Sequence, residues 1–194
     1  MNSNSKLFKY LLRVALGTGM LLLIPLIAMQ FSSEVVWNLA DFIIAGTLIF
    51  GTGAAYKLIT RKSEKVTYRV AIGFALITSL SLIWVNGAIG IIGNEGQSAN
   101  MLYGAVLVVG LIGSFLFRFK SAGMSLTLFA MAVTQMLVPV IALSIWPSPA
   151  ISWSPSVFGV FIFSAFFALL YVVSALLFRH ASHNTNQSPI KIGL

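Results

Sequence analysis

The stretch VFGVFIFSAFFALLYVVSALLF, residues 157–178, decides the fold class of this chain. Its 22 residues carry no charge and are apolar around the whole helical circumference, which is typical of a helix embedded in lipid. At 1.5 Å per residue, roughly 20 such residues cross the ~30 Å hydrocarbon core of a bilayer. The stretch also lacks the alternation of polar and apolar residues that marks a membrane β-strand. It therefore predicts a transmembrane helix.

Five other apolar segments meet the same length test. The six predicted spans are residues 11–31, 35–56, 70–93, 101–119, 124–146 and 157–178. They predict an all-α, polytopic membrane protein with a single six-helix bundle over residues 1–179 and a polar cytoplasmic tail over residues 180–194. The composition agrees, because 58% of the residues are hydrophobic and only 8% are charged. A soluble domain has about 25% charged residues, so that class is excluded.

The basic residues decide the predicted orientation. All 12 Lys and Arg residues fall in or beside the N-terminus, the loops after spans two and four, and the C-terminal tail. An even number of spans places these four segments on one side, which the positive-inside rule makes cytoplasmic. We therefore expect both termini to be cytoplasmic. The net charge of +8 is then expected to face an anionic inner leaflet, not a nucleic acid.

Polar residues that are costly in a membrane gather near the predicted outer face. Asp41 is expected about six residues inside span two, roughly 9 Å below its outer end, and a charge at such a depth is a functional candidate. Glu34, Asn38 and Asp41 have the spacing of one helical face, and Asn86 is expected at a similar depth in span three. The predicted ligand- or ion-binding residues are Asp41, Asn86, Glu95, Asn38, Asn100 and Tyr103, with Trp84 and Trp37 as the pocket wall.

Two interpretations of this cluster remain open. Carboxylates with carboxamide oxygens suit a hard cation, a proton or a small polar solute. Asp41 would then change its charge, Asn86 would hydrogen-bond to it, and Glu95 would attract the ligand. Equally, Asp41 can be a structural residue held by Asn86, Asn100 can cap the helix that follows it, and Glu95 can be a loop charge near that helix start.

Polar residues also occur within spans five and six. Gln135 lies at the midpoint of span five, and Pro139 follows one turn later. The Gln135 amide can satisfy the carbonyl that the proline frees, or it can line a pathway. Ser164, Tyr171 and Ser174 form a stripe at helical spacing, which predicts contact between helices.

The residue types exclude several chemistries. Cysteine is absent, and both histidines fall in the last fifteen residues, so no His lies within a span. No nucleophile–base motif or phosphate-binding loop is present. We therefore expect no cofactor, no metal site and no enzymatic activity, although Asp41 and Glu95 form a conceivable acid–base pair.

Three short strings carry a resemblance to known proteins. They are Trp37-x-x-x-Asp41-Phe42, Trp84-Val85-Asn86 and Gly90-Ile91-Ile92-Gly93-x-Glu95. With Asn100 and Tyr103 after them, these strings resemble a group of small six-span bacterial inner-membrane proteins. The resemblance covers spans two to four. It implies a multi-pass location in the bacterial inner membrane and indicates no substrate.

Two functions fit these observations. The first is a small binding or transport protein whose outward-facing polar pocket takes a cation, a proton or a small polar solute. The alternative is a non-catalytic accessory or scaffold subunit of a larger membrane assembly. Besides the lipid bilayer and a small cation or solute, the expected partners are a second copy of the chain or another membrane protein. Small residues would form the docking faces: Gly46, Gly51, Gly53, Gly110 and Gly113.

Overall fold

The protein is all-helical in the residues that the computed structural model describes, which are 3–61, 63, 65–148 and 150–186. The helices are α1 Ser3–Phe31, α2 Leu39–Thr60, α3 Val66–Ala88, a 3₁₀ helix Ser98–Tyr103, α4 Gly104–Leu116, α5 Ser121–Ile145 and α6 Val157–Asn186. Six helical segments are long and apolar enough to cross a membrane, and the fourth joins the 3₁₀ helix to α4. The predicted all-α, six-helix membrane fold is confirmed.

Several helix ends differ from the predicted spans. Helix α2 begins at Leu39, four residues later than expected, and α3 ends at Ala88 instead of residue 93. The early end of α3 follows from Gly90 and Gly93, whose φ angles of 73° and 74° are incompatible with a right-handed helix. By contrast, α6 is longer than its predicted span and continues to Asn186. The predicted tail, residues 180–194, therefore begins as helix. Residues 187–194 lie outside the described residues.

The chain divides into two compact units, Met1–Lys62 (unit 1) and Ser63–Leu194 (unit 2). In unit 1, α1 and α2 form an antiparallel hairpin with a close contact at Gly53. A Cβ atom at Gly53 would lie 2.6 Å from Val14 Cγ1, and the Tyr10 hydroxyl donates to the Gly53 carbonyl at 3.4 Å. The prediction of one bundle over residues 1–179 stays a prediction, because each unit is described by itself.

Hydroxyl side chains join the helices of unit 2, in which α6 packs against α3 and α5, and α5 packs against α4. Among the described residues, hydrogen bonds that cross these interfaces include Ser174 Oγ to the Ala71 carbonyl at 2.9 Å, Ser125 Oγ to the Ala175 carbonyl at 2.8 Å, and Ser79 Oγ with Tyr171 Oη at 3.2 Å. The predicted contact role of the polar stripe on α6 is thereby confirmed for Tyr171 and Ser174. Such hydrogen bonds hold membrane helices together where water is absent.

Unit 2 has two chemically different ends. At the basic end, the Tyr68 hydroxyl donates to the Phe119 carbonyl at 2.8 Å, and Lys65 Nζ donates to the Ala181 carbonyl at 3.3 Å. The distal end consists of two loops, residues 89–97 and the described residues 146–148 and 150–156, which contain no Lys or Arg. These loops touch, since a Cβ atom at Gly93 would lie 2.6 Å from the Ser152 carbonyl oxygen.

Candidate functional site

Asn38 and Asp41 form a capping box at the start of α2. The Asn38 side-chain oxygen accepts from the backbone N–H groups of Ala40 at 2.7 Å and Asp41 at 3.2 Å. In return, Asp41 Oδ2 accepts from the Asn38 backbone N–H at 2.8 Å. The predicted depth of Asp41 is therefore wrong, because the helix starts at Leu39 and Asp41 lies in its first turn. This arrangement satisfies backbone donors that the helix start would otherwise leave without partners.

Trp37 and Glu34 precede the start of α2 and have different surroundings. Trp37 packs edge-on against Phe42 with their ring centroids 5.2 Å apart. Glu34 is exposed and precedes α2, so it does not share a helical face with Asp41 as predicted. Asn38, Asp41 and Trp37 belong to unit 1, whereas the other predicted site residues belong to unit 2. A hydrogen bond between Asp41 and Asn86 stays a prediction.

The buried side chain of Asn100 organises the loop between α3 and the 3₁₀ helix. Its Oδ1 atom accepts from the backbone N–H groups of Ile91 at 3.1 Å and Ile92 at 2.8 Å. Its Nδ2 atom donates to the carbonyls of Ile92 at 3.1 Å and Asn94 at 2.6 Å. The predicted capping role is wrong, because Asn100 lies inside the 3₁₀ helix and satisfies an irregular loop. Buried loop backbone requires such partners.

One polar atom of the Asn86 side chain has a hydrogen-bond partner, and the other has none among the described residues. Its Nδ2 atom donates to the Asn100 backbone carbonyl at 2.9 Å. Its Oδ1 atom is buried and has no hydrogen-bond partner among the described residues. Two of the predicted site residues, Asn86 and Asn100, are thus brought into direct contact. Together they present one unsatisfied acceptor near the distal end.

Glu95 lies exposed at the tip of the same loop. The Gly96 backbone N–H donates to Asn94 Oδ1 at 3.0 Å, so a short Asx-type turn holds the chain around Glu95. No other residue in the two distal loops carries a charge. The distal end of unit 2 is therefore acidic, in contrast to its basic end.

Tyr103 and Trp84 differ in their surroundings. Tyr103 is 1% exposed, and its hydroxyl lies 2.7 Å from Ser164 Oγ on α6. Ser164 was expected only to contact a neighbouring helix, and its spacing with Tyr171 was the signal that could have added it to the candidate site. Trp84 is 39% exposed, so much of its ring lies on the outside of unit 2.

Gln135 lies in the core of unit 2 with no exposed surface. Neither Nε2 nor Oε1 has a hydrogen-bond partner in the part of the chain that the structure describes. The interpretation that this amide satisfies the carbonyl freed by Pro139 is therefore wrong. Gln135 remains a polar side chain in an apolar helix without a structural explanation.

The described residues contain no group of three His, Asp or Glu side chains placed to hold a metal ion. At the distal end of unit 2, the polar groups include carboxamides and hydroxyls, together with the exposed Glu95 carboxylate. These groups can accept hydrogen bonds or coordinate a cation weakly. Comparisons with protein-family models, curated proteins and solved structures return no match, so the fold and the site stand on the geometry of the chain alone.

Proposed function

We propose that this multi-pass membrane protein belongs to the bacterial inner membrane and binds or transports a small cation or a polar solute with hydrogen-bond donors. Its site is the distal end of unit 2. The observation that carries this proposal is the buried Asn86 Oδ1 atom, which has no partner among the described residues. The location is supported by the resemblance noted above. Cytoplasmic termini are supported by the distribution of Lys and Arg along the sequence, which places basic residues in the N-terminal segment, in two loops and in the C-terminal tail.

The chemistry of Asn86 favours a ligand that donates. A buried acceptor without a partner costs about 1–3 kcal/mol, and a bound donor or cation would recover that free energy. The Nδ2 atom is already used by the Asn100 carbonyl, so Oδ1 is held in one orientation. A carboxamide oxygen is a suitable ligand for a hard cation.

The charge at the distal end favours a cation over an anion. Glu95 is the single charged residue in the two distal loops, and it is exposed. At physiological salt, its field extends about 8 Å before screening reduces it, which is enough to attract a cation to the loop. Asp41 stays a predicted second carboxylate, but the proposal does not depend on it.

A thermal-stability assay in detergent tests this proposal. The probes are sodium, potassium, magnesium, ammonium and choline chlorides at matched ionic strength. A ligand at a hundred times its dissociation constant stabilises by about 2.7 kcal/mol. We expect at least one probe to raise the melting temperature, and Glu95→Gln to raise the concentration required. Glu34→Gln is the matched control, because Glu34 is also an exposed loop carboxylate. Equal responses in the two variants would remove Glu95 from the site.

The accessory-subunit function is favoured by a separate observation on unit 1. Most large apolar side chains of α1 and α2 are exposed, and a Cβ atom at Gly17, Gly19 or Gly51 would meet nothing within 4 Å. Small residues on an open apolar surface suit close approach of another helix. A stoichiometric partner that co-purifies from native membranes and is lost in Gly51→Leu would support this function.

The other proposed docking glycines have contacts inside the chain. Gly46 and Gly53 face Leu22 and Val14 of α1. Gly110 and Gly113 of α4 face Met131 and Thr127 of α5, with an added Cβ atom 2.8 Å and 2.5 Å from the nearest side-chain atoms. These four positions therefore serve packing within each unit, and their role as docking faces stays a prediction.

A further inference from the structure

Gln135 is an exception among the buried polar side chains of this protein. The others each make a hydrogen bond within the described residues: Thr18, Thr60, Thr78, Asn100, Ser125, Thr127, Ser164 and Ser174. Within the same part of the chain, Gln135 is the buried side chain that has neither its donor nor its acceptor satisfied. Within a membrane no bulk water is available to do so. The contrast points to a binding partner for this amide.

The helix register places Gln135 level with a second polar group. Ser125 of α5 donates to the Ala175 carbonyl of α6, so these two residues lie at the same level. Because α5 and α6 are antiparallel, Gln135, which is ten residues after Ser125, lies at the level of residue 165 on α6. Ser164 is the neighbouring residue, and its hydroxyl is paired with Tyr103. On its other side α5 packs against α4, where Gly110 lies next to Met131. One turn further along α5 is Gln135, and the corresponding position one turn back along antiparallel α4 is Val106.

The backbone carbonyl of Gln135 is a third polar group at this level, because Pro139 cannot donate to it. Proline has no N–H, so it cannot donate the usual backbone hydrogen bond to the Gln135 carbonyl one turn earlier. Pro139 is itself buried. The side-chain amide and backbone carbonyl of Gln135 and the Tyr103–Ser164 hydroxyl pair therefore concentrate donors and acceptors at one level of an otherwise apolar core.

We infer that Gln135 and the Tyr103–Ser164 pair form a buried site for one small neutral molecule that carries both a hydrogen-bond donor and an acceptor. Water, a primary amide and an alcohol share this chemistry. The ligand is neutral because no charged side chain is buried among the described residues, so a buried ion would lack a counter-charge. Neither polar atom of the Gln135 side chain has a partner among the described residues, so a ligand that satisfies both must donate to Oε1 and accept from Nε2. This site is separate from the proposed Asn86 site, where only an acceptor is open.

Solution NMR on detergent-solubilised protein labelled with ¹⁵N-glutamine tests the inference. The chain contains four glutamines, so Gln30→Asn, Gln97→Asn and Gln187→Asn identify their own signals and leave that of Gln135. The assignment thus does not require a Gln135 variant to fold. Cross-relaxation between the Gln135 amide protons and water is measured first. The amide shift is then followed during titration with acetamide and with glycerol.

Either of two results supports the site. Cross-relaxation with water and no response to the solutes identifies water as the ligand. A saturable shift on adding acetamide or glycerol identifies a solute. A Gln135 amide with neither response overturns the inference. Ser164→Ala is expected to weaken the observed response, whereas Thr134→Val is the control, because the exposed Thr134 hydroxyl bonds only to the Ala130 carbonyl of its own helix. An unchanged response in Ser164→Ala would remove the hydroxyl pair from the site.

Discussion

The Asn86 side chain on α3 donates from Nδ2 to the backbone carbonyl of Asn100 at 2.9 Å, and its buried Oδ1 atom is left without a partner among the described residues. This one contact links the end of a predicted span to the loop that closes the distal end of unit 2. The contact orients the Asn86 carboxamide oxygen at the distal end of unit 2, whose two loops contain one charged residue, the acidic Glu95. The proposed binding function depends on this orientation.

Replacing Asn100 with Ala should destabilise unit 2 strongly. The change removes four side-chain hydrogen bonds and leaves the buried N–H groups of Ile91 and Ile92 unsatisfied. At about 1–3 kcal/mol for an unsatisfied buried group, we expect a loss of about 3 kcal/mol or more in unfolding free energy. Denaturant unfolding in mixed micelles measures it. Asn94→Ala is the control, and similar losses in both variants would contradict this role of Asn100.

Removing the α2 cap should have a smaller effect. Asn38→Ala deletes the acceptor for two N–H groups at the helix start and should cost about 1 kcal/mol. Asp41→Asn keeps an oxygen for the Asn38 N–H, so it should cost less. Melting temperatures of the two variants provide the measurement. A greater loss in Asp41→Asn would show that the carboxylate charge does more than complete the capping box.

Two glycines of α2 should respond oppositely to Ala. Gly53→Ala introduces a Cβ atom 2.6 Å from Val14 Cγ1, and overpacking of this kind costs about 1–3 kcal/mol. Gly51→Ala meets nothing within 4 Å and should be neutral or stabilise the helix by up to about 1 kcal/mol. Thermal denaturation of both variants in one detergent makes the comparison. Equal effects would contradict the described α1–α2 contact.

Tyr103→Phe should weaken the contact between the 3₁₀ helix and α6. The change leaves Ser164 Oγ without the hydroxyl that lies 2.7 Å away. Interhelical hydrogen bonds in membrane proteins contribute about 0.6 kcal/mol on average, so we expect a loss of about 0.6–2 kcal/mol. A double-mutant cycle with Ser164→Ala isolates the coupling between the two hydroxyls. Additive losses in the double mutant would show that the pair contributes no coupling.

The fold class and span number were predictable because a bilayer imposes a simple physical test. Long apolar runs such as residues 157–178 favour the hydrocarbon core of a bilayer, and many large apolar side chains are exposed on the helices of the structure. The stripe of Ser164, Tyr171 and Ser174 was also informative, since its spacing identified an interior face of α6. These features depend on local composition and helical period, which the sequence displays directly.

The start of α2 was mispredicted although its signal was present. Asn38 followed three residues later by Asp41 is a capping-box pattern, but hydropathy extended the span back to residue 35. Asp41 was therefore predicted to lie well inside span two. The capping geometry instead places it in the first helical turn.

The role of Asn100 could not be read from the sequence for a different reason. Its partners lie six to nine residues away in an irregular loop, and the only local sign was a pair of glycines three residues apart. Likewise, the absence of a partner for Gln135 among the described residues depends on how the neighbouring helices pack against α5. No local pattern of residues specifies that outcome.

The central claim is tested most directly by titrating wild type, Asn86→Ala and Asn86→Asp with the five chloride salts while following thermal stability. We predict that the salt that stabilises wild type has no specific effect on Asn86→Ala. We expect Asn86→Asp to lose the wild-type response as well, because its carboxylate cannot donate to the Asn100 carbonyl that orients the side chain. Asn94→Ala, at an exposed position of the same loop, should behave as wild type. An Asn86→Ala variant that responds to the same salt at the same concentration as wild type would contradict the proposed site.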